Sequence, residues 1–176
     1  MALTNDTKLI RYGSGDDAQP LAYPIGAAQQ LYSGAVALVS GSGTPAAGYL
    51  KNAATATLGT SDIVVGMVGD ATGGAYSTGP GLPVPTASGD VWAEVLTGAF
   101  YFQSGTGADQ LVVAGNGLPV YYGGESTTGP IACAVVGSPA RPVLGIQVPQ
   151  DPGIAGGASP GAGYWPVIIN PAKGRP

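Results

Sequence analysis

Apolar residues fall in short runs separated by glycine, proline and small polar residues, the spacing of strands rather than helices. AVALVS (35–40) reads as a strand, and GYLKNA (48–53) as a second, shorter one. DIVVGMVGD (62–70) is apolar at neighbouring positions and therefore on both faces, which predicts a buried strand. VWAEVLTGAFYFQ (91–103) alternates: Val91, Ala93, Val95, Ala99 and Tyr101 share one face, and Trp92, Glu94, Leu96, Phe100 and Phe102 the other. Gly98 stands in its middle, where a bulge or sharp bend is expected. QLVVAGNGLPVYYGG (110–124) predicts two short strands about a turn at Asn116-Gly117, residues that tolerate positive φ. IACAVV, PVLGIQV and YWPVIIN supply further strands. A helical turn at AAQQLY (27–32) is too short to stand alone. The pattern predicts an all-β fold, a small antiparallel β-barrel or β-sandwich with long Gly/Pro-rich loops and an extended N-terminal arm.

Residues 1–34 read as that arm or as an edge segment, punctuated by Pro20 and Pro24 and carrying Asp6, Lys8, Arg11, Asp16 and Asp17. A β domain follows over 35–170, with surface loops at 69–90 and 149–163, and 171–176 forms a polar tail. Glycine and proline number 31 and 16 of 176 residues, a density that alone would suggest low complexity. With 44% hydrophobic residues in well-formed runs, the chain instead reads as folded and rich in loops, either one domain or two small β units sharing a core.

Charge is scarce, at 9% of residues, with six Lys and Arg and a net charge of −4. No basic cluster exists to displace counterions from a phosphate backbone, so direct nucleic-acid binding is not expected. The start, MALTNDTKLIRYG, lacks the apolar core of a secretory signal, and no apolar run approaches the ~20 residues that span a bilayer. Synthesis in the cytoplasm is expected, with no membrane partner. So few charges leave a surface that is either uncharged or covered by neighbours in an assembly.

The residues offer little reactive chemistry. There is no histidine, which removes the commonest general base and metal ligand, and one cysteine cannot make a zinc site or an internal disulfide. Cys133, within IACAVV, reads as a buried, inert thiol. Glu94 and Glu125 are the only glutamates; Glu94, near Trp92, is the one candidate catalytic carboxylate, and an alternating residue on a half-exposed strand explains it better. Asp16-Asp17 lack the acidic spacing of a calcium loop. The glycines of SGSGTPAAG and GTGADQ precede no helix that would complete a phosphate cradle, so they are turns. No catalytic residue, metal or cofactor is expected. Trp92, Phe100 and Phe102 are expected in the core or an oligomer interface; the alternative has Trp92, Trp165 and the tyrosines stacking on sugars in a fibre or adhesin module.

GAVALVSGSGT, DIVVGMVGDATGG, VWAEVLTGAFYFQSGTGADQLVVAGNGLPVYY and RPVLGIQV together form a familiar succession. Across positions 34 to 148 they resemble the decoration (cement) proteins of tailed-bacteriophage capsids. The matching residues are Gly98-Ala99-Phe100, Ala114-Gly115, Val120-Tyr121-Tyr122 and Leu144-Gly145-Ile146. The two long Gly/Pro loops and the extended C-terminal segment depart from that pattern. The resemblance implies a non-enzymatic virion protein, trimeric and bound to the major capsid protein on the capsid exterior. It also implies that an N-terminal arm lies along the capsid. Here Leu3, Leu9, Ile10 and Tyr12 would anchor it by apolar contact.

Overall fold

The computed structural model describes residues 20–53, 58–59, 61–69, 81–126, 129–138, 140–149 and 163–169. The fold is all-β, and the ten strands among the described residues divide into an open five-stranded sheet and a closed five-stranded barrel. The sheet runs β1 (Pro20–Pro24), β5 (Trp92–Leu96), β4 (Ile63–Val68), β2 (Val36–Val39), β3 (Leu50–Lys51). The barrel runs β10 (Tyr164–Ile169), β6 (Gly98–Ser104), β8 (Gly129–Cys133), β7 (Pro119–Ser126), β9 (Val143–Gln147), and β9 closes onto β10. These strand pairs are antiparallel except β6 with β8, which run parallel through Gln103–Ile131 and Ser104–Ala132.

The alternating run at 91–103 links the two units. It breaks at Thr97, with Gly98 at a φ of 129°, so that β5 joins the sheet and β6 the barrel. Two cores result. Val36, Leu38, Val64, Met67 and Leu96 from one sheet face join Phe100, Phe102, Val120, Tyr122, Leu144, Val167 and Ile169 of the barrel. On the other face Ala37, Val65, Val68, Ala93 and Val95 pack with Ile25, Leu31 and Leu82. A β-bulge between β2 and β4, with Ala37 opposite Gly66 and Leu38 opposite Val64, leaves Val65 as the extra residue. β4 therefore feeds both cores, which accounts for its apolar residues at successive positions.

Residues 20–34, placed by sequence in the arm or edge segment, are built into the body. β1 is the sheet edge, Ile25 and Leu31 are buried, and Ile25 bridges to Leu50 so that the two sheet edges meet at one corner. Residues 1–19 lie outside the described residues. No helical turn forms at AAQQLY. Ala28 takes a φ of 58°, and side chains hold the segment extended: Asn52 N–H donates to Gln29 Oε1 at 2.9 Å and Gln30 Nε2 to the Leu82 carbonyl at 2.8 Å. Of the loop expected at 69–90, residues 69 and 81–90 are described, and 81–90 seal the second core through buried Leu82 and Pro85.

The strand expected at Leu111–Val113 is absent. A closed barrel has no free edge to receive it. Instead 3-10 turns form at Gly107–Asp109 and Val113–Gly115, and Leu111 alone drops into the core.

Candidate functional site

Strand directions bring one set of loops together. β6 and β8 run parallel and finish side by side, so both leave the barrel at the end remote from the β5–β6 junction. β7 starts there, since Tyr121 lies opposite Cys133, and β9 finishes there, since Pro119 lies opposite Ile146. Loop 105–118 therefore caps that end, and residues 134–138 leave from it, tied there by the Ala134 N–H bond to the Asp109 carbonyl at 3.0 Å. They carry the exposed side chains Val112, Val113, Leu118, Val135 and Val136, with Val113 the most open at 72% and Leu118 at 56%.

Polar anchors fix these loops from beneath. Arg141 donates from Nη1 and Nη2 to the two carboxylate oxygens of Asp109 at 2.6 and 3.0 Å, and from Nη1 to the Val135 carbonyl at 3.2 Å. The guanidinium holds the Asp109 carboxyl below its usual range. Gln147, fully buried, donates from Nε2 to the Val112 carbonyl at 2.7 Å and to Asn116 Oδ1 at 3.0 Å. Its backbone N–H reaches the Leu118 carbonyl, and Gly117 N–H reaches its carbonyl. The valines are thus displayed on a braced surface, and this arrangement can adhere to another apolar surface without reordering.

A second feature lies inside. Glu125 is 7% exposed on β7, and its Oε1 accepts from the Val36 N–H of β2 at 3.1 Å and from the Tyr122 hydroxyl at 2.8 Å. Its Oε2 is buried with no hydrogen-bond partner among the described residues. Burial pushes the carboxyl up to about 7, against the lowering effect of those two donors. The side chain faces inward because β7 carries a bulge: Tyr122 opposes Ala132 and Glu125 opposes Pro130, so three steps on one strand match two on the other. Gly124 makes this bulge with a φ of 104°, a conformation that side chains other than glycine resist.

No protein-family model matches the chain, and no curated protein or solved structure matches it.

The residues singled out by sequence are dispersed. Phe100 and Phe102 are buried in the barrel core, which leaves them no part in a surface. Trp92 opens β5 at 53% exposure, opposite Pro24 in the sheet. Trp165 is half-buried against the barrel core, so the two tryptophans sit on different sheets. Glu94 is partly exposed beside Ala22, while Cys133 is buried and burial raises its thiol. Leu3, Leu9, Ile10 and Tyr12 lie outside the described residues. Among the described residues no three metal-binding side chains cluster.

The valine-bearing end is hidden in the sequence because LVV has the composition of a strand. Glu125 is also easy to pass over, although a Gly-Gly pair inside a strand and directly before a glutamate is the signature of a bulge that redirects the next side chain.

Proposed function

We propose that the chain is a structural protein of a tailed-phage virion, made in the host cytoplasm, that binds the outside of the capsid and stabilises it. The observation that carries this reading is the braced apolar end of the barrel. Five exposed Val and Leu side chains, set among few charges, form a surface that gains from being covered. Complete burial of such a side chain contributes roughly 1.5–3 kcal/mol, and these are already about half covered, so each would add on the order of 1 kcal/mol. Association costs several kcal/mol, and a single copy would bind weakly. A homotrimer presenting three such ends to neighbouring major-capsid subunits would bind by avidity. The partner is protein; nothing in the reading calls for nucleic acid, membrane, catalysis or a cofactor. The sequence resemblance to capsid decoration proteins supports the same partner.

The test is stoichiometry in purified particles. A copy number close to that of the major capsid protein is the expected result, and a copy number of a handful overturns the reading. Removing residues 1–12 separately tests the arm: loss of particle binding by a chain that still folds is expected, and undiminished binding would refute the arm's role.

A further inference from the structure

We propose that Glu125 is a proton-operated latch on the seam between the barrel and the sheet. The carboxyl reaches from β7 across to the backbone of β2, and it sits in the one core to which both units contribute. Its Oε1 takes two donors, the Val36 N–H and the Tyr122 hydroxyl, while Oε2 takes none.

When the carboxyl is neutral, Oε1 serves as its carbonyl and both donors are satisfied, and what remains without a partner is an uncharged Oε2 hydroxyl. When it is ionised, half of the charge rests on an oxygen with no donor in an apolar surround, a costly state. Water relieves that cost only by reaching Oε2, which requires β2 and β7 to part. Ionisation therefore favours opening of the seam. Among the described residues no neighbouring charge offsets this. β2 has no ionisable side chain, β8 places Pro130 opposite Glu125, and Tyr122 on β7 has its own ionisation pushed far up, first by burial and then by Glu125. The described ion pairs, Lys51–Asp62 and Asp109–Arg141, bind each other. Burial, which raises the carboxyl to about 7, places the transition near neutral pH.

The direction follows from linkage. The closed state holds its proton to about pH 7, and the opened one releases it near 4.5. Opening is thus increasingly favoured as pH rises through that interval and levels off above it. Between pH 6 and pH 8.5 the opening constant should rise about tenfold.

The experiment is amide exchange by NMR on the intact chain, expressed as protection factors to remove the intrinsic effect of pH, with the Glu125 carboxyl carbon followed in parallel. The carboxyl is expected to titrate near pH 7, and Val36 to lose about tenfold protection between pH 6 and pH 8.5. At pH 8.5 Val36 should be less protected than Val68, whose amide bonds Ala35 in the sheet. Glu125→Gln should flatten the dependence. Tyr122→Phe removes one donor to the carboxylate, so it should move the transition to higher pH and serves if the glutamine variant does not fold. Titration near 4.5, unchanged Val36 protection, or equal protection of Val36 and Val68 at pH 8.5 would each overturn the latch.

Discussion

Replacing Asp62 by alanine should damage the fold more than replacing its ion-pair partner Lys51 by methionine, and the asymmetry can be worked from the contacts. The two side chains are 2% and 5% exposed, with Lys51 Nζ 2.5 Å from Asp62 Oδ2. The carboxylate does more than pair: Oδ1 accepts from Gly41 N–H at 3.1 Å and Oδ2 from Gly59 N–H at 2.6 Å. Lys51→Met removes a charge but leaves the carboxylate both amide donors and keeps the apolar stem, so a loss of about 1–3 kcal/mol is expected. Asp62→Ala deprives the ammonium of its buried carboxylate and two amides of their acceptor, which should cost about 3–5 kcal/mol. At about 2–4 °C per kcal/mol for a chain of this length, the melting temperature should drop by roughly 6–20 °C. Urea unfolding of both variants, read by tryptophan fluorescence at matched slopes, measures the difference. An Asp62→Ala loss below about 1 kcal/mol, or a Lys51→Met loss that equals or exceeds it, would refute the assignment of Asp62 as the hub.

Three further outcomes are expected. Val113→Asp with Leu118→Asp should leave the melting transition within about 0.5 kcal/mol of the parent, because both side chains are exposed, yet should abolish attachment to particles in a sedimentation assay. Global stability should fall as pH rises from about 4.5 to about 7, because the folded chain keeps a Glu125 proton that the unfolded chain has released; the total is about 3 kcal/mol, and thermal melts of Glu125→Gln should lack it. Gly124→Ala meets no atom within 4 Å of the added carbon, so its expected cost of about 1–3 kcal/mol comes from the φ of 104° alone, readable by urea unfolding.

Strand periodicity made most of the architecture legible. The runs at AVALVS, DIVVGMVGD, VWAEVLTGAFYFQ and PVLGIQV each became a strand or a pair of them, and Gly98 marked the break between sheet and barrel. What escaped was decided by distant parts of the chain. LVV at 111–113 has strand composition, but the barrel closes without it, and the Gln147 side chain captures its backbone instead. AAQQLY has helical composition, but Gln29 and Gln30 spend their amides on Asn52 and Leu82, 23 and 52 positions away. Glu125 and Asp62 look like ordinary surface carboxylates in sequence. Only a bulge and a loop crossing bury them; the bulge leaves the Gly123-Gly124 pair as its trace, and the loop crossing leaves single glycines at 41 and 59. The aromatic residues were the most deceptive, since alternation put Trp92 on the same face as Phe100 and Phe102, whereas the break at Thr97–Gly98 separates them.

A chain this poor in charge must protect its strand edges by other means, and the geometry of β1 shows one. Proteins commonly guard an edge with lysine, but also with proline, closure or covering segments. The barrel closes on itself and has no edge. In the sheet, Ile25 N–H bonds the Val91 carbonyl at 2.9 Å, so the odd-numbered residues of β1 turn their amides toward β5 and the even-numbered ones turn theirs away. Pro20 and Pro24 occupy two of the three outward positions, and proline has no N–H to offer. Only Ala22 retains an outward donor in that strand. At the other edge β3 is two residues long, and Gly26 already donates to the Leu50 carbonyl at 3.0 Å. Strand addition is thus discouraged along both edges of the sheet. Contact with a partner through the described residues then falls to side chains rather than backbone, and Val112, Val113, Leu118, Val135 and Val136 at the remote end of the barrel form a set that is exposed, apolar and held in place.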